Sequence, residues 1–175
     1  MDQDDQKRVA AQAAAELVEP GMTLGLGTGT TVAHLLPAIA ARRLDVRCVA
    51  TSPGTETAAR ELGLRVEPFD EVDRLDLAID GADQVAPDLW LVKGGGAAHT
   101  REKLVAAAAD RFVVIVDASK PVAELHAPVP LELVPFGLAS TLRRLGEVTV
   151  RDVPASPDGG VIADLRAPLG DPAPL

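Results

Sequence analysis

The chain has 175 residues, of which 47% are apolar, so it is long enough to bury the core of one domain with a small appendage. Its formal net charge of −9 and its aromatic content of 2% disfavour nucleic acids and anionic membranes as partners. Cys48 is the single cysteine, which excludes an internal disulfide, and no metal-ligand cluster or membrane-length apolar segment is visible. We therefore expect a cytoplasmic protein without a metal site.

Helical and strand-like patterns alternate along the first part of the chain. Apolar spacing predicts helices at residues 3–19, 30–43, 54–62 and 100–110, and short apolar runs predict strands at 22–26, 46–50, 64–66, 75–79 and 112–116. Pro37 falls inside the second helix, where we expect a kink or an earlier end. Because the strands are uniformly apolar, they indicate a Rossmann-like α/β fold, with a largely parallel sheet and helices on both faces.

The character of the chain changes after about residue 121, where proline becomes frequent. A helix is predicted at 136–146 and strands at 147–150 and 161–164, and a further helix could begin at 171–175. This pattern indicates a small α+β appendage. We expect a main α/β domain over residues 1–125 and a partial small domain over residues 126–175.

Polar motifs follow the apolar runs that we read as strands. Thr28, Asp80 and Asp117 each come just after such a run, and Lys93 follows the short apolar run 89–92. In parallel sheets, ligands bind beyond the carboxyl ends of the strands. These motifs are therefore expected to converge on one crevice.

The segment Gly-Leu-Gly-Thr-Gly-Thr-Thr, residues 25–31, leads from a strand into a helix. Backbone amides and the helix dipole suit anion binding there, and the hydroxyls of Thr28, Thr30 and Thr31 suit a phosphate monoester. The spacing is neither the dinucleotide fingerprint nor a Walker loop. The alternative is a tight strand-to-helix turn capped by threonine.

Three glycines follow Lys93, and Glu102 lies in a cationic run that opens the next helix. Lysine is rare in this chain, with 4 residues against 13 arginines, so its place beside the glycines is notable. Amides at a glycine triplet, an ammonium group and a carboxylate suit an anionic substrate that loses and regains a proton. The alternative is a flexible surface loop before an ordinary helix.

Asp80-Gly81-Ala82-Asp83 places two carboxylates at the end of a strand. Carboxylates accept hydrogen bonds from sugar hydroxyls, although an Asx-type turn would use the same residues.

Taken together, Gly-Thr-Gly-Thr-Thr at 27–31, Asp-Gly-Ala-Asp at 80–83, Lys-Gly-Gly-Gly at 93–96, Thr-Arg-Glu-Lys at 100–103 and Asp-Ala-Ser-Lys at 117–120 resemble type A ribose-5-phosphate isomerases. The order and spacing agree to about residue 165. The resemblance implies the interconversion of ribose 5-phosphate and ribulose 5-phosphate in the pentose phosphate pathway, without a metal or organic cofactor. It also implies that the small molecule bound is a sugar phosphate. The expected assembly is a homodimer or a higher homo-oligomer.

The resemblance also implies a role for each matching residue. Glu102 would be the general base, and Lys93 with the amides of Gly94 to Gly96 would stabilise the enediolate oxygen. The sugar would be held, and its ring opened, by Asp80 and Asp83. The other implied substrate contacts are Lys7, Thr28, Gly29, Thr30, Thr31, Gly81, Ala82, Gly94, Gly95, Gly96 and Lys120. His99 matches nothing that the family requires and is expected to be a surface or supporting residue.

Members of that family usually continue past residue 175 and return a last strand to the main sheet. We therefore expect an incomplete appendage with an unpaired strand edge and exposed apolar surface. Two other functions stay open. One is a sugar-phosphate-binding module without turnover, like the sensor domains of some transcription regulators, although no helix-turn-helix or basic segment is visible. The other is a coenzyme A transferase-like enzyme with a nucleophilic glutamate, which the glycine and aspartate motifs fit less well.

Overall fold

The computed structural model describes residues 1–168, which form two compact units. The first unit contains residues 1–82 and 100–119, and the second contains residues 83–99 together with the chain from residue 120. The domain division near residue 125 stays a prediction, and it differs from these units because 83–99 lies with the second one. The possible helix at 171–175 lies outside the described residues.

The first unit is built on a five-stranded sheet in which every neighbouring pair is parallel. In sheet order, its strands are β3 (Arg65–Val66), β2 (Arg47–Ala50), β1 (Thr23–Leu26), β4 (Leu75–Asp80) and β7 (Ala109–Val114). All four residues of β1 are buried, and this strand carries no charged side chain. The predicted largely parallel sheet is confirmed.

Helices cover both faces of that sheet. They are α1 (Gln3–Ala15), α2 (Thr30–Ala41), α3 (Pro53–Glu61) and α4 (His99–Ala107), of which α4 has its first residue in the second unit. One core cluster joins α1 and α2 to Leu24, Leu26 and Ile79, and another joins Val105 of α4 to Leu75 and Ala78. Pro37 does not end α2, which continues to Ala41.

The second unit consists of a short hairpin and a small antiparallel sheet. The hairpin pairs β5 (Gln84–Val85) with β6 (Leu91–Val92). The sheet has the order β8 (Val129–Leu133), β10 (Val161–Leu165), β9 (Val148–Val150), and α5 (Leu138–Leu145) connects β8 to β9.

Strand β8 was not predicted, because Pro130 and the neighbouring Pro128 are typical of a loop. Pro130 lies within it, opposite Asp164 of β10. Because β8 is at the edge of its sheet, a residue without an N–H group is tolerated there. In this unit Phe136 is 93% exposed, and the expected incompleteness of the appendage stays a prediction. No helix within residues 1–168 is long and apolar enough to cross a membrane.

Candidate active site

Asp80 organises the glycine loop between β1 and α2. This aspartate ends β4 and is 3% exposed, and its Oδ1 accepts hydrogen bonds from the amides of Thr28 (3.1 Å) and Gly81 (2.7 Å). A Cβ atom on Gly27 would lie 2.0 Å from the same oxygen. Only glycine at position 27 therefore lets the loop pass this close to the carboxylate. Asp80 holds the loop in place through its bond to the Thr28 amide.

Two hydroxyl groups from the segment after β2 support Thr28. Thr28 Oγ1 lies 2.8 Å from Thr51 Oγ1 and 3.3 Å from Thr55 Oγ1, and the Thr55 hydroxyl donates to the Gly27 carbonyl at 2.9 Å. Sequence reasoning missed Thr51 and Thr55. The signal was present, because Thr51 and Ser52 follow β2 directly and obey the same carboxyl-end rule as Thr28.

The N-terminus of α2 carries the features of an anion site. Gly29 is the N-cap residue, with φ of 118°, and the first amides of a helix have no acceptor within that helix. Lys7 reaches the same place from α1, where its Nζ donates to Thr30 Oγ1 at 3.0 Å. Partial positive charge at a helix start and a lysine ammonium both attract phosphate.

Asp117 anchors the helix that carries Lys7. This aspartate is 2% exposed, and its Oδ2 accepts a hydrogen bond from Gln3 Nε2 at 3.2 Å. One turn further along α1, Gln6 Oε1 accepts a bond from the amide of Ala118 at 2.8 Å. These two bonds hold the start of α1 and thereby set the position of Lys7.

Glu102 is 4% exposed on α4, which packs closely on the sheet. A Cβ atom on Gly25 of β1 would lie 2.4 Å from Val105 Cγ1 and 2.9 Å from Ala78 Cβ, so Gly25 allows the helix to approach. Residues three apart share one helix face, so Glu102 lies on the same side as Val105. Its burial disfavours the interpretation of this segment as an ordinary surface helix.

In the second unit, Asp83 holds the loop that follows Lys93. The Asp83 amide donates to the Val92 carbonyl at 2.8 Å, and its Oδ2 accepts from the Gly95 amide, also at 2.8 Å. A Cβ atom on Gly95 would lie 2.5 Å from Asp83 Oδ1. Gly94 has φ of 98°, and the Ala97 amide closes a turn onto its carbonyl at 3.1 Å. The loop is thus a defined turn with polar support.

The ring of His99 packs against Gly94. A Cβ atom on Gly94 would lie 2.2 Å from His99 Cδ2 and 3.0 Å from Pro130 Cβ. In the part of the chain that the structure describes, neither ring nitrogen of His99 has a hydrogen-bond partner. Burial lowers the pKa of His99, an effect that the nearby Glu132 carboxylate partly offsets.

Lys120 lies beside the hairpin. Its carbonyl accepts a hydrogen bond from the Val85 amide at 3.0 Å, and Val85 accepts one from the Val122 amide at 2.9 Å. The predicted site residues therefore fall into two groups. The first unit holds Lys7, Thr28 to Thr31, Asp80 to Ala82 and Glu102, and the second holds Asp83, Lys93 to Gly96 and Lys120.

Comparison with known proteins gives consistent matches. The family model for ribose 5-phosphate isomerase A (phosphoriboisomerase A) matches residues 47–172, and a model for the DeoR C terminal sensor domain matches residues 2–62. The ribose-5-phosphate isomerase A of Caulobacter sp. (strain K31) is 46% identical over 190 residues, which cover 100% of this chain and 84% of the relative.

Solved structures agree with these matches. The crystal structure of ribose 5 phosphate isomerase A from Neisseria gonorrhoeae has a TM-score of 0.93 at 34% identity, covering 97% of this chain and 79% of that one. A D-ribose-5-phosphate isomerase in complex with phospho-erythronic acid also has a TM-score of 0.93, at 33% identity, covering 99% of this chain and 84% of that one.

Proposed function

Because the chain belongs to the ribose 5-phosphate isomerase A family, we propose that it isomerises ribose 5-phosphate with Glu102 as the base that moves the proton. Family membership makes the chain an aldose–ketose isomerase of the pentose phosphate pathway, and the resemblance noted in its motifs is confirmed. The roles of individual residues are the proposal. The observation that carries it is a carboxylate, Glu102, buried at the start of a helix that Gly25 brings against the sheet.

In this mechanism, Glu102 removes the proton from C2 of the open-chain aldose, and the C1 carbonyl oxygen takes up the negative charge of an enediolate. The same carboxyl group returns the proton to C1, while the hydroxyl proton on O2 moves to O1 and a carbonyl forms at C2. General base catalysis of this kind contributes about 10²–10⁴-fold to the rate.

Lys93 and the glycine amides stabilise the enediolate oxygen. The Gly95 amide already donates to Asp83, so we assign the donor role to Gly94 and Gly96 rather than to all three glycines. One donor aimed at a developing oxyanion typically contributes about 10²–10³-fold. Lys93 adds a compact positive charge, which matters in a chain whose net charge is −9.

The phosphate group binds at the N-terminus of α2. The amides of this helix start, the hydroxyls of Thr30 and Thr31, and the Lys7 ammonium form one anion site within the first unit. The family resemblance assigns Lys120, in the second unit, a further substrate contact. The sugar hydroxyls contact the loop at Thr28 and Gly29 and the Asp80–Asp83 segment. A family relative binds phospho-erythronic acid, a phosphate-bearing acid, which supports the use of that compound as a probe here.

We also propose an oligomeric state and a cellular location for the chain. The exposed side chains of Val134 and Phe136 favour a homodimer or higher homo-oligomer that covers them. A cytoplasmic location agrees with the metabolic role of the family. Light scattering of the purified protein tests the assembly, and a monomer at micromolar concentration would contradict it.

The match of residues 2–62 to a sensor domain favours one alternative, a binding module without turnover. That segment contains Lys7 and the 25–31 loop, which bind phosphate in our proposal, but it contains neither Lys93 nor Glu102. A sensor needs no buried base, so Glu102 favours the enzyme. Ligand-dependent thermal stabilisation without turnover would support the sensor.

The test is a coupled ketose assay with ribose 5-phosphate on the wild type and on Glu102→Gln. We expect kcat to fall at least about 10²-fold in the variant, with solvent deuterium entering the product of the wild type. Glu61→Gln changes an exposed glutamate of α3 and serves as the matched control, with an unchanged rate. Equal rates for Glu102→Gln and wild type would remove Glu102 from its role.

A further inference from the structure

Arg151 in the small sheet contacts the loop that follows Lys93. It comes directly after β9, and its Nη1 donates to the Gly95 carbonyl at 3.2 Å. Its other two guanidinium nitrogens form a bidentate pair with Asp164 of β10, with Nε to Oδ2 at 2.9 Å and Nη2 to Oδ1 at 2.7 Å. Neither the motifs nor the family resemblance pointed to Arg151.

The bidentate pair gives the guanidinium a fixed orientation. Asp164 lies on β10, and Arg151 directly follows β9, which pairs antiparallel with β10 through Val150 with Ala163 and Thr149 with Asp164. Their side chains are only 22% and 16% exposed. A guanidinium is planar, so two bonds to one carboxylate determine where its third nitrogen, Nη1, lies.

The bond to the Gly95 carbonyl also fixes the direction of the next amide. A trans peptide is planar, and its C=O and N–H groups point in opposite directions. When Arg151 holds the Gly95 carbonyl, the Gly96 N–H must point away from Arg151. On the other side of Gly95, the amide is held by Asp83. Glycine has the widest backbone freedom of any residue, so these two external bonds restrict the orientation of the Gly95 peptide groups.

We propose that Arg151, held by Asp164, is a positioning residue that aims the Gly96 amide at the enediolate oxygen. This inference rests on the proposed function. It gives the small sheet a part in the reaction, since the sheet sets the direction of an oxyanion donor. Arg151 itself touches no reacting atom.

The experiment compares Arg151→Gln and Arg151→Lys with Arg166→Gln in the full chain. Arg166 lies just beyond β10 in the same unit, where its Nε donates to Thr149 Oγ1 at 3.1 Å, so it is a matched control. We expect Arg151→Gln to lower kcat by about 10–100-fold with KM within about threefold, because misplaced groups cost rate more than binding. Inhibition by phospho-erythronic acid should weaken in parallel with kcat, and Arg166→Gln should match wild type.

Arg151→Lys keeps the positive charge but replaces the planar guanidinium with a single nitrogen, which loses the bidentate geometry, so its kcat should lie between those of the wild type and Arg151→Gln. NMR of the amides of Gly94 to Gly96 provides a readout that needs no turnover. We expect the Gly96 amide to shift in Arg151→Gln and to keep its position in Arg166→Gln. If Arg151→Gln does not fold, Asp164→Asn takes its place, because it keeps the arginine and weakens the bidentate pair.

The outcomes separate this inference from the proposed function. If the wild type does not turn over ribose 5-phosphate, the proposed function is wrong. The NMR shifts then still show whether Arg151 sets the direction of the Gly96 amide. An active wild type whose Arg151→Gln variant keeps its kcat within about twofold of Arg166→Gln overturns the inference. So does an unshifted Gly96 amide, or a rise in KM alone.

Discussion

The two glycine loops of this chain are supported in different ways, although one short motif braces both. Asp80, the first residue of Asp-Gly-Ala-Asp, accepts a hydrogen bond from the Thr28 amide of the first loop, and Asp83, the last residue, accepts one from the Gly95 amide of the second. The first loop also lies between a buried strand and a helix. The second loop depends on a hairpin, on the ring of His99 and on Arg151.

This difference indicates that the first loop is rigid because of the core, whereas the second is held by a few polar bonds. Damage to the first loop should therefore appear mainly as lost stability. Damage to the second should appear mainly as lost rate, because few buried apolar contacts depend on it.

The largest effect on stability is expected from Gly27→Ala. The new Cβ would fall 2.0 Å from Oδ1 of the buried Asp80, and movement of either group would break the bond between that oxygen and the Thr28 amide or the bond between the Gly27 amide and the Ile79 carbonyl. We expect the free energy of unfolding to fall by about 2–4 kcal/mol, measured by urea denaturation.

Gly54→Ala is the control for that substitution. Gly54 lies in the first turn of α3, where the nearest atom to a new Cβ is Ser52 Oγ at 4.0 Å. Alanine favours the helix there by about 0.5–1 kcal/mol, so this variant should be as stable as the wild type or more so. A Gly27→Ala protein that unfolds at the same urea concentration as Gly54→Ala would contradict the conclusion that the first loop is held rigidly against Asp80.

The corresponding change in the second loop is Gly95→Ala. Its Cβ would lie 2.5 Å from Asp83 Oδ1, but Gly95 is exposed and the strain can be relieved by movement of the loop. We expect a loss of only about 1 kcal/mol in stability with a fall in kcat of about 10-fold or more. Kinetics and urea denaturation on one preparation measure both quantities. A loss of stability as large as that of Gly27→Ala, with kcat unchanged, would reverse the comparison.

The sequence predicted the features that depend on apolar periodicity and on the residues that follow each strand. Uniformly apolar runs indicated the parallel sheet, and the carboxyl-end rule located the loop at Thr28 and the carboxylate at Asp80. Strand β8 was missed because proline is excluded from central strands but tolerated at an edge, and sequence alone does not say which strand is the edge.

The supporting residues were harder to predict, because their roles depend on pairings between distant segments. Arg151 is 56 residues from the carbonyl that it holds, and Gln3 is 114 residues from Asp117. No local sequence pattern identifies an arginine whose Nη1 reaches a loop that is distant in the sequence. Asp80 and Asp83 were predicted as sugar contacts, and that role stays a prediction, but their bonds to loop amides were visible only in the structure.

The smallest effect concerns His99, the apolar support of the second loop. Burial lowers its pKa below the usual 6.5, while Arg151 acts in the same direction and the carboxylates of Glu132, Asp83 and Asp164 oppose the shift. The His99 imidazole is therefore protonated more readily in the unfolded chain than in the folded chain. The stability that the neutral ring contributes is full above about pH 6.5 and is lost as the pH falls toward the lowered pKa.

His99→Leu removes that proton-binding site and keeps an apolar side chain of similar size against Gly94. We expect the variant to match or slightly exceed the wild type at pH 7.5, since the imidazole nitrogens lack partners among the described residues. Its advantage should widen as the pH is lowered to 5, by no more than about 1 kcal/mol because the ring is only partly shielded from water. Thermal unfolding of both proteins across this pH range measures the difference. Parallel pH profiles would show that the ring is protonated as easily in the folded chain as in the unfolded one, and the second loop would then have no pH-sensitive support.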